Sequence, residues 1–142
     1  MARSTPVSES VVSVGLLEAM PVSESSITSR VVVNNPLLRV VVFAFDTGEM
    51  LTEHSSPRAV VVQLLDGRLD YTLGGETTTM VPGDVIYMEP GIRHALVALE
   101  PSHMSLVMVD TEADTEPVAA EPVDTEAATE ADTEPGPEAP LD

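Results

Sequence analysis

The chain has 142 residues, with 24 acidic against six basic side chains, a formal charge of −18 and no cysteine. Without thiols, disulfides, thiolate nucleophiles and cysteine-type zinc sites are excluded. Strong negative charge without a basic stripe excludes phosphate backbones and anionic lipid surfaces as natural partners, so neither nucleic acid nor membrane is expected. No stretch reaches transmembrane length, and the apolar run Val11 to Leu17 is broken by Ser13 and followed by Glu18, too short for a secretory core; a cytoplasmic protein is expected.

In chain order, residues 1–26 form an N-terminal segment in which Pro6-Val7-Ser8-Glu9-Ser10 returns as Pro21-Val22-Ser23-Glu24-Ser25 around an apolar centre, Val11 to Met20. Met1 to Ser10 is expected to be flexible, and the apolar centre to lie as an extra strand on an outer sheet. From Ile27 to Val109 the texture is short β-branched runs broken by turn signals. Strands are expected near Ile27–Val33, Leu38–Phe45, Leu51–Ser55, Ala59–Asp66, Arg68–Leu73, Thr77–Met80, Val85–Met88, His94–Leu99 and Met104–Val109. Between them stand Asn34-Asn35-Pro36, Asp46-Thr47-Gly48, Ser56-Pro57, Asp66-Gly67, Gly74-Gly75, Pro82-Gly83 and Glu100-Pro101, residues suited to chain reversal. No segment of helical length has a clean 3.6-residue apolar period. The pattern predicts an all-β domain over 27–109, a single antiparallel barrel or jelly roll.

The remaining 33 residues, Asp110 to Asp142, carry twelve of the 24 acids and no basic or aromatic residue. They repeat Ala-Asp-Thr-Glu-Pro at 113–117 and 131–135. Such a composition cannot bury enough apolar surface to offset ordering entropy, so a disordered acidic tail is expected. The body is then left with twelve acids and six arginines, a net charge of −6.

Val40 to Phe45 and Val60 to Leu65 are apolar on both faces apart from Gln63. Such strands need cover on both sides. In a barrel the outer cover comes from the N-terminal segment or from a second subunit, and a homodimer is expected.

The residues with chemistry lie in two glycine frames: Gly48, five residues, His54, closing at Gly67; and Pro82-Gly83-Asp84, then Pro90-Gly91, two residues, His94. This arrangement resembles the cupin family, in its small single-domain form of the RmlC-like jelly-roll type. Members with the full motif bind a divalent metal through three histidines and one glutamate. Here Ser56 and Val60 stand where a second histidine and the glutamate are usual, Glu89 where proline is common, and Ala98 where asparagine often closes the motif. The resemblance therefore carries over only His54 and His94 as ligands of a divalent metal (Fe, Mn or Zn), fewer than the three protein ligands of catalytic zinc or non-haem iron.

Strand parity groups His54 with Ser56, Val60 and Val62, and His94 with Leu96; Tyr87 and Met104 are further expected walls of a small, mostly apolar pocket. Met88, Leu106 and Met108 are other candidate walls. A third ligand from Glu53 or Glu89 needs a bulge to re-aim it, and His103 begins a strand from which it can face the mouth. Arg58 and Arg93 stand beside the histidines as possible anion contacts. No catalytic residue is assigned, for no nucleophile elbow or phosphate loop is present. The leading expectation is a small organic ligand held at the two histidines. The alternatives are a metal-dependent oxygenase or isomerase, and a non-catalytic protein acting through its acidic tail.

Overall fold

The computed structural model describes residues Ser4 to Thr111. The chain divides into two units, Met1–Asp110 and Thr111–Asp142, and every strand among the described residues belongs to the first. The acidic tail expected from the sequence lies, beyond Thr111, outside the described residues. Among the described residues seven strands follow one helical turn: α1 Leu16–Ala19, β1 Ile27–Asn34, β2 Leu38–Phe45, β3 Met50–His54, β4 Ala59–Leu73, β5 Glu76–Met80, β6 Val85–Met88 and β7 His94–Val109. No helix among the described residues is long and apolar enough to cross a membrane.

All pairings are antiparallel, and two long strands carry the architecture. The first half of β4 pairs with the second half of β7, from Ala59 opposite Val109 to Leu64 opposite Met104; the second half of β4 pairs with the first half of β7, from Leu69 opposite Ala98 to Leu73 opposite His94. On either side of this spine the neighbours differ. β1, β2 and β6 extend the half at Ala59–Leu64, whereas β3 and β5 extend the half at Leu69–Leu73. The result is two sheets folded against each other, the jelly-roll form of the all-β barrel expected above.

Four expected strands are thus two. Asp66-Gly67 and Glu100-Pro101 are bends within β4 and β7, where the register shifts, and not reversals. Gly67, at φ 88°, turns the backbone through the bend while both flanks stay paired. Ser102 closes the same corner from β7: its Oγ accepts from Arg68 N at 2.9 Å and donates to Glu100 O at 2.7 Å.

Between the sheets, Phe45, Val60, Val62, Leu64, Leu69 and Tyr71 form the buried centre of the core. The opposite face of β2 makes a second, smaller cluster. There Val42 and Ala44 pack with Met20, Leu16, Val22, Val32 and Leu65, so the N-terminal segment covers part of the outer sheet. The extra strand expected at Val11–Met20 does not form. Gly15 and the run Leu16-Leu17-Glu18-Ala19 break the alternation with good helix formers, and a single turn results, Ala19 N donating to Gly15 O at 3.0 Å.

His103 fastens this cover. Its Nε2 lies 2.6 Å from Met20 O and its Nδ1 2.9 Å from the Asp66 carboxylate. It therefore faces the outside of the barrel, which removes it as a third ligand at the mouth. Val85 and Tyr87, 58% and 62% exposed, remain uncovered on the same sheet.

Candidate functional site

The site forms where β3 meets the start of β7. Met50 opposes Val97 and Leu51 opposes Leu96, so regular pairing would set Glu53 opposite His94. Instead the register shifts after Leu51 and His54 takes that place. The extra residue is a β-bulge, and it inverts the parity of the strand end. The bulge turns the imidazole into the cavity together with Leu51, while Glu53 points to solvent, where its Oε1 accepts from Arg93 Nη2 at 3.2 Å. Both members of that ion pair are more than half exposed.

The two imidazole rings meet edge to face, their centroids 4.3 Å apart, and Tyr71 stacks against His94 at 6.3 Å. The cavity they line with Leu51, Leu96, Met104 and Leu106 measures about 20 Å³. That is room for one water-sized group. Both rings are oriented by the backbone: Nδ1 of His54 lies 2.7 Å from Thr52 O and Nδ1 of His94 3.0 Å from Ile92 O. A carbonyl only accepts, so each Nδ1 carries the proton, and the neutral ring keeps its lone pair at Nε2.

Burial holds both rings below the usual histidine range. For His94, desolvation first and the neighbouring His54 second bring the pKa to about 4, against a weaker opposing effect from the Ile92 carbonyl. His54, although partly open at the mouth, is lowered by desolvation, opposed by the Thr52 carbonyl. Both are neutral acceptors near pH 7. Burial also raises the Tyr71 hydroxyl, which stays protonated and donates to Met88 Sδ at 3.7 Å.

A pH dependence of stability follows. His94 is 6% exposed, and it binds a proton near pH 6.5 in the unfolded chain but only near 4 in the folded one. The unfolded state therefore binds more protons between these values, so the contribution is complete above about pH 6.5 and is lost as pH falls toward 4. Its size is on the order of 3 kcal/mol. Urea melts across this window should show the wild type losing stability more steeply than His94→Gln; equal slopes would remove His94 as the titrating group.

The other expected site residues are placed as follows. His54, His94, Leu96 and Met104 surround the cavity, as does Leu106. Val60 and Val62 share the inward parity but lie in the close-packed core, and Ser56 is in the loop before β4, where its Oγ accepts from Arg58 N at 3.1 Å. Tyr87 projects outward, because Met88 rather than Tyr87 takes the inner face of β6. The aromatic wall is Tyr71, whose signal was its place on the apolar face of β4. Arg93 is engaged by Glu53, whereas Arg58 has no side-chain partner among the described residues. Glu89 is exposed at a turn in which Ile92 N donates to its carbonyl.

The donor set does not fit a catalytic metal. No third histidine, cysteine or carboxylate joins the pair among the described residues. Val60 offers no donor, and the Ser56 hydroxyl is a weak neutral one already bonded in its loop. What the arrangement provides is two fixed, neutral hydrogen-bond acceptors at the mouth of an apolar barrel.

Comparison with known proteins agrees with this architecture. The Cupin domain family matches residues 41–110. A conserved protein of unknown function from Streptococcus pyogenes is 34% identical, covering 71% of this chain and 89% of its own, with a TM-score of 0.65. A Cupin 2 conserved barrel domain protein from Leptotrichia buccalis is 30% identical over 66% of this chain and 45% of its own, with a TM-score of 0.63. KdgF from a Halomonas species is 29% identical over 59% and 79%, with a TM-score of 0.55. No curated protein matches. With both histidines in their glycine frames on a jelly roll of this topology, the chain belongs to the cupin family.

Proposed function

We propose that this cupin binds a small organic molecule at the His54/His94 mouth, the ligand donating hydrogen bonds to the two Nε2 atoms. The reading is supported by the tautomers: each Nδ1–H is spent on a backbone carbonyl, so both rings, 4.3 Å apart and lining the cavity, keep a lone pair at Nε2. A site built from acceptors selects ligands with hydroxyl or N–H groups, because a ligand lacking them leaves the buried His94 acceptor unpaired. A cavity of about 20 Å³ takes in one such group, and the rest of the ligand occupies the mouth.

The test is imidazole NMR on the full chain during titration with small alcohols and phenols. Binding should move the Nε2 resonances of His54 and His94 together, with Nδ1 little changed. Titration that moves neither ring would exclude the mouth as a binding site. A metal-dependent oxygenase or isomerase is the competing reading, and metal analysis separates it: one transition-metal ion per purified chain, lost in His94→Ala, would replace our reading with that one.

A further inference from the structure

On the inner face of the barrel stands a half-buried arginine whose Nε has no hydrogen-bond partner among the described residues. On β2 the inward side is defined by Phe43 and Phe45, which stack at 5.7 Å within the core, while Val42 and Ala44 belong to the outer cluster. Arg39 has the inward parity. The register sets it level with Met108 of β7, which in turn opposes Val60 of β4, itself opposite Met88 of β6. Its neighbours along the sheet toward β6 are therefore apolar, while Asn34 of β1 stands opposite it on the other side. The Arg39 Nε atom is itself buried. Neither Arg93–Glu53 nor His103–Asp66, the ion pairs seen among the described residues, involves it.

A buried guanidinium N–H left unpaired is costly, and native proteins keep very few such groups. A half-buried arginine with an apolar row on one side and an unpaired Nε is suited to a planar anion that supplies the missing acceptor. The next inward residue of β7 after Met108 is Leu106, a wall of the histidine cavity. Arg39 is thus one inward step, roughly 7 Å, from that cavity.

We propose that Arg39 is the carboxylate-binding residue of this barrel, and that the ligand is a short hydroxy-carboxylate whose acid group meets Arg39 and whose hydroxyl meets His54 and His94. The far end rests on the function proposed above; the acid end does not. A monocarboxylate suits the site better than a phosphate, because a body of twelve acids and six arginines repels a dianion more strongly. Arg58 begins two residues before Val60, at the same end of the barrel, and adds positive charge there.

The experiment follows the Arg39 Nε–H resonance and the His94 ring in the full chain, titrated with sodium acetate, 4-hydroxybutanoate and inorganic phosphate at constant ionic strength. Acetate should shift Arg39 saturably. The hydroxy acid should shift Arg39 and His94 together and bind at least ten-fold more tightly. Arg39→Met should melt at or above the wild-type temperature and lose at least ten-fold in affinity for both acids, while Arg30→Gln, at an exposed position, changes neither. An Arg39 resonance unmoved by either acid overturns the proposal. So does a greater response to phosphate than to acetate, or an Arg39→Met protein that melts well below wild type, since the guanidinium would then have a structural partner. If Arg39 responds equally to both acids and His94 to neither, the acid site stands and the histidine reading fails.

Discussion

Gly67→Ala is expected to destabilise the barrel by several kcal/mol, a large share of its total stability, and to lower its melting temperature sharply. Gly67 sits at φ 88°, where an L-residue costs roughly 1–2 kcal/mol. A Cβ there would collide with Ser102 Oγ and Pro101 O and lie 2.6 Å from Ser102 Cα. Forced overpacking adds about 1–3 kcal/mol. Neither strand can step aside: β4 and β7 are paired on both sides of the corner, and Ser102 is tied to Arg68 and Glu100. Against a total stability of roughly 5–15 kcal/mol, this loss is large. Thermal and urea melts measure it, and a variant melting within a degree or two of wild type would mean that the corner opens freely.

The same corner shows where the sequence is legible and where it stops. The two glycine frames and the β-branched runs are local, and they place the fold and the two histidines. Asp66-Gly67 has the composition of a hairpin turn, but whether the chain reverses there or only bends depends on which strands flank it, and that is not local. The bulge before His54 is a matter of register between β3 and β7. Alternation alone, counted from Leu51, selects Glu53, although the glycine frame points to the right residue. Arg39 was hidden for another reason. Val40 to Phe45 is apolar on both faces, so the pattern carries no parity signal, and only the packing of Phe43 and Phe45 against the core reveals which way Arg39 turns. Tyr71 rather than Tyr87 lines the cavity because Tyr71 is on the inner face of β4, while on β6 Met88 takes the inner face and Tyr87 the outer.

Val60→Glu is expected to destabilise the protein by several kcal/mol without creating a metal site. Val60 is 3% exposed, opposite Met88 on one side and Met108 on the other, so an ionised carboxylate there loses its hydration and must be paired or protonated. Two groups compete for it. A metal ion at His54 and His94 would gain the carboxylate as a third ligand, completing a two-histidine-one-carboxylate set. Arg39 lies on Val60's own inner row, two strands away across Met108, about 10 Å, a span that glutamate and arginine side chains bridge together. The histidine cavity begins one row further along, at Leu106. Arg39 is already charged and its Nε is unpaired among the described residues, so it should take the carboxylate. Melts of Val60→Glu should then be unchanged by Zn²⁺ or Mn²⁺, and adding Arg39→Met should deepen the loss beyond the sum of the single changes by about 0.5–3 kcal/mol, the coupling of residues in contact. A melting temperature that rises with Zn²⁺ in Val60→Glu but not in wild type would show instead that the new carboxylate reaches the histidines, and that this barrel lacks a metal centre for want of one side chain.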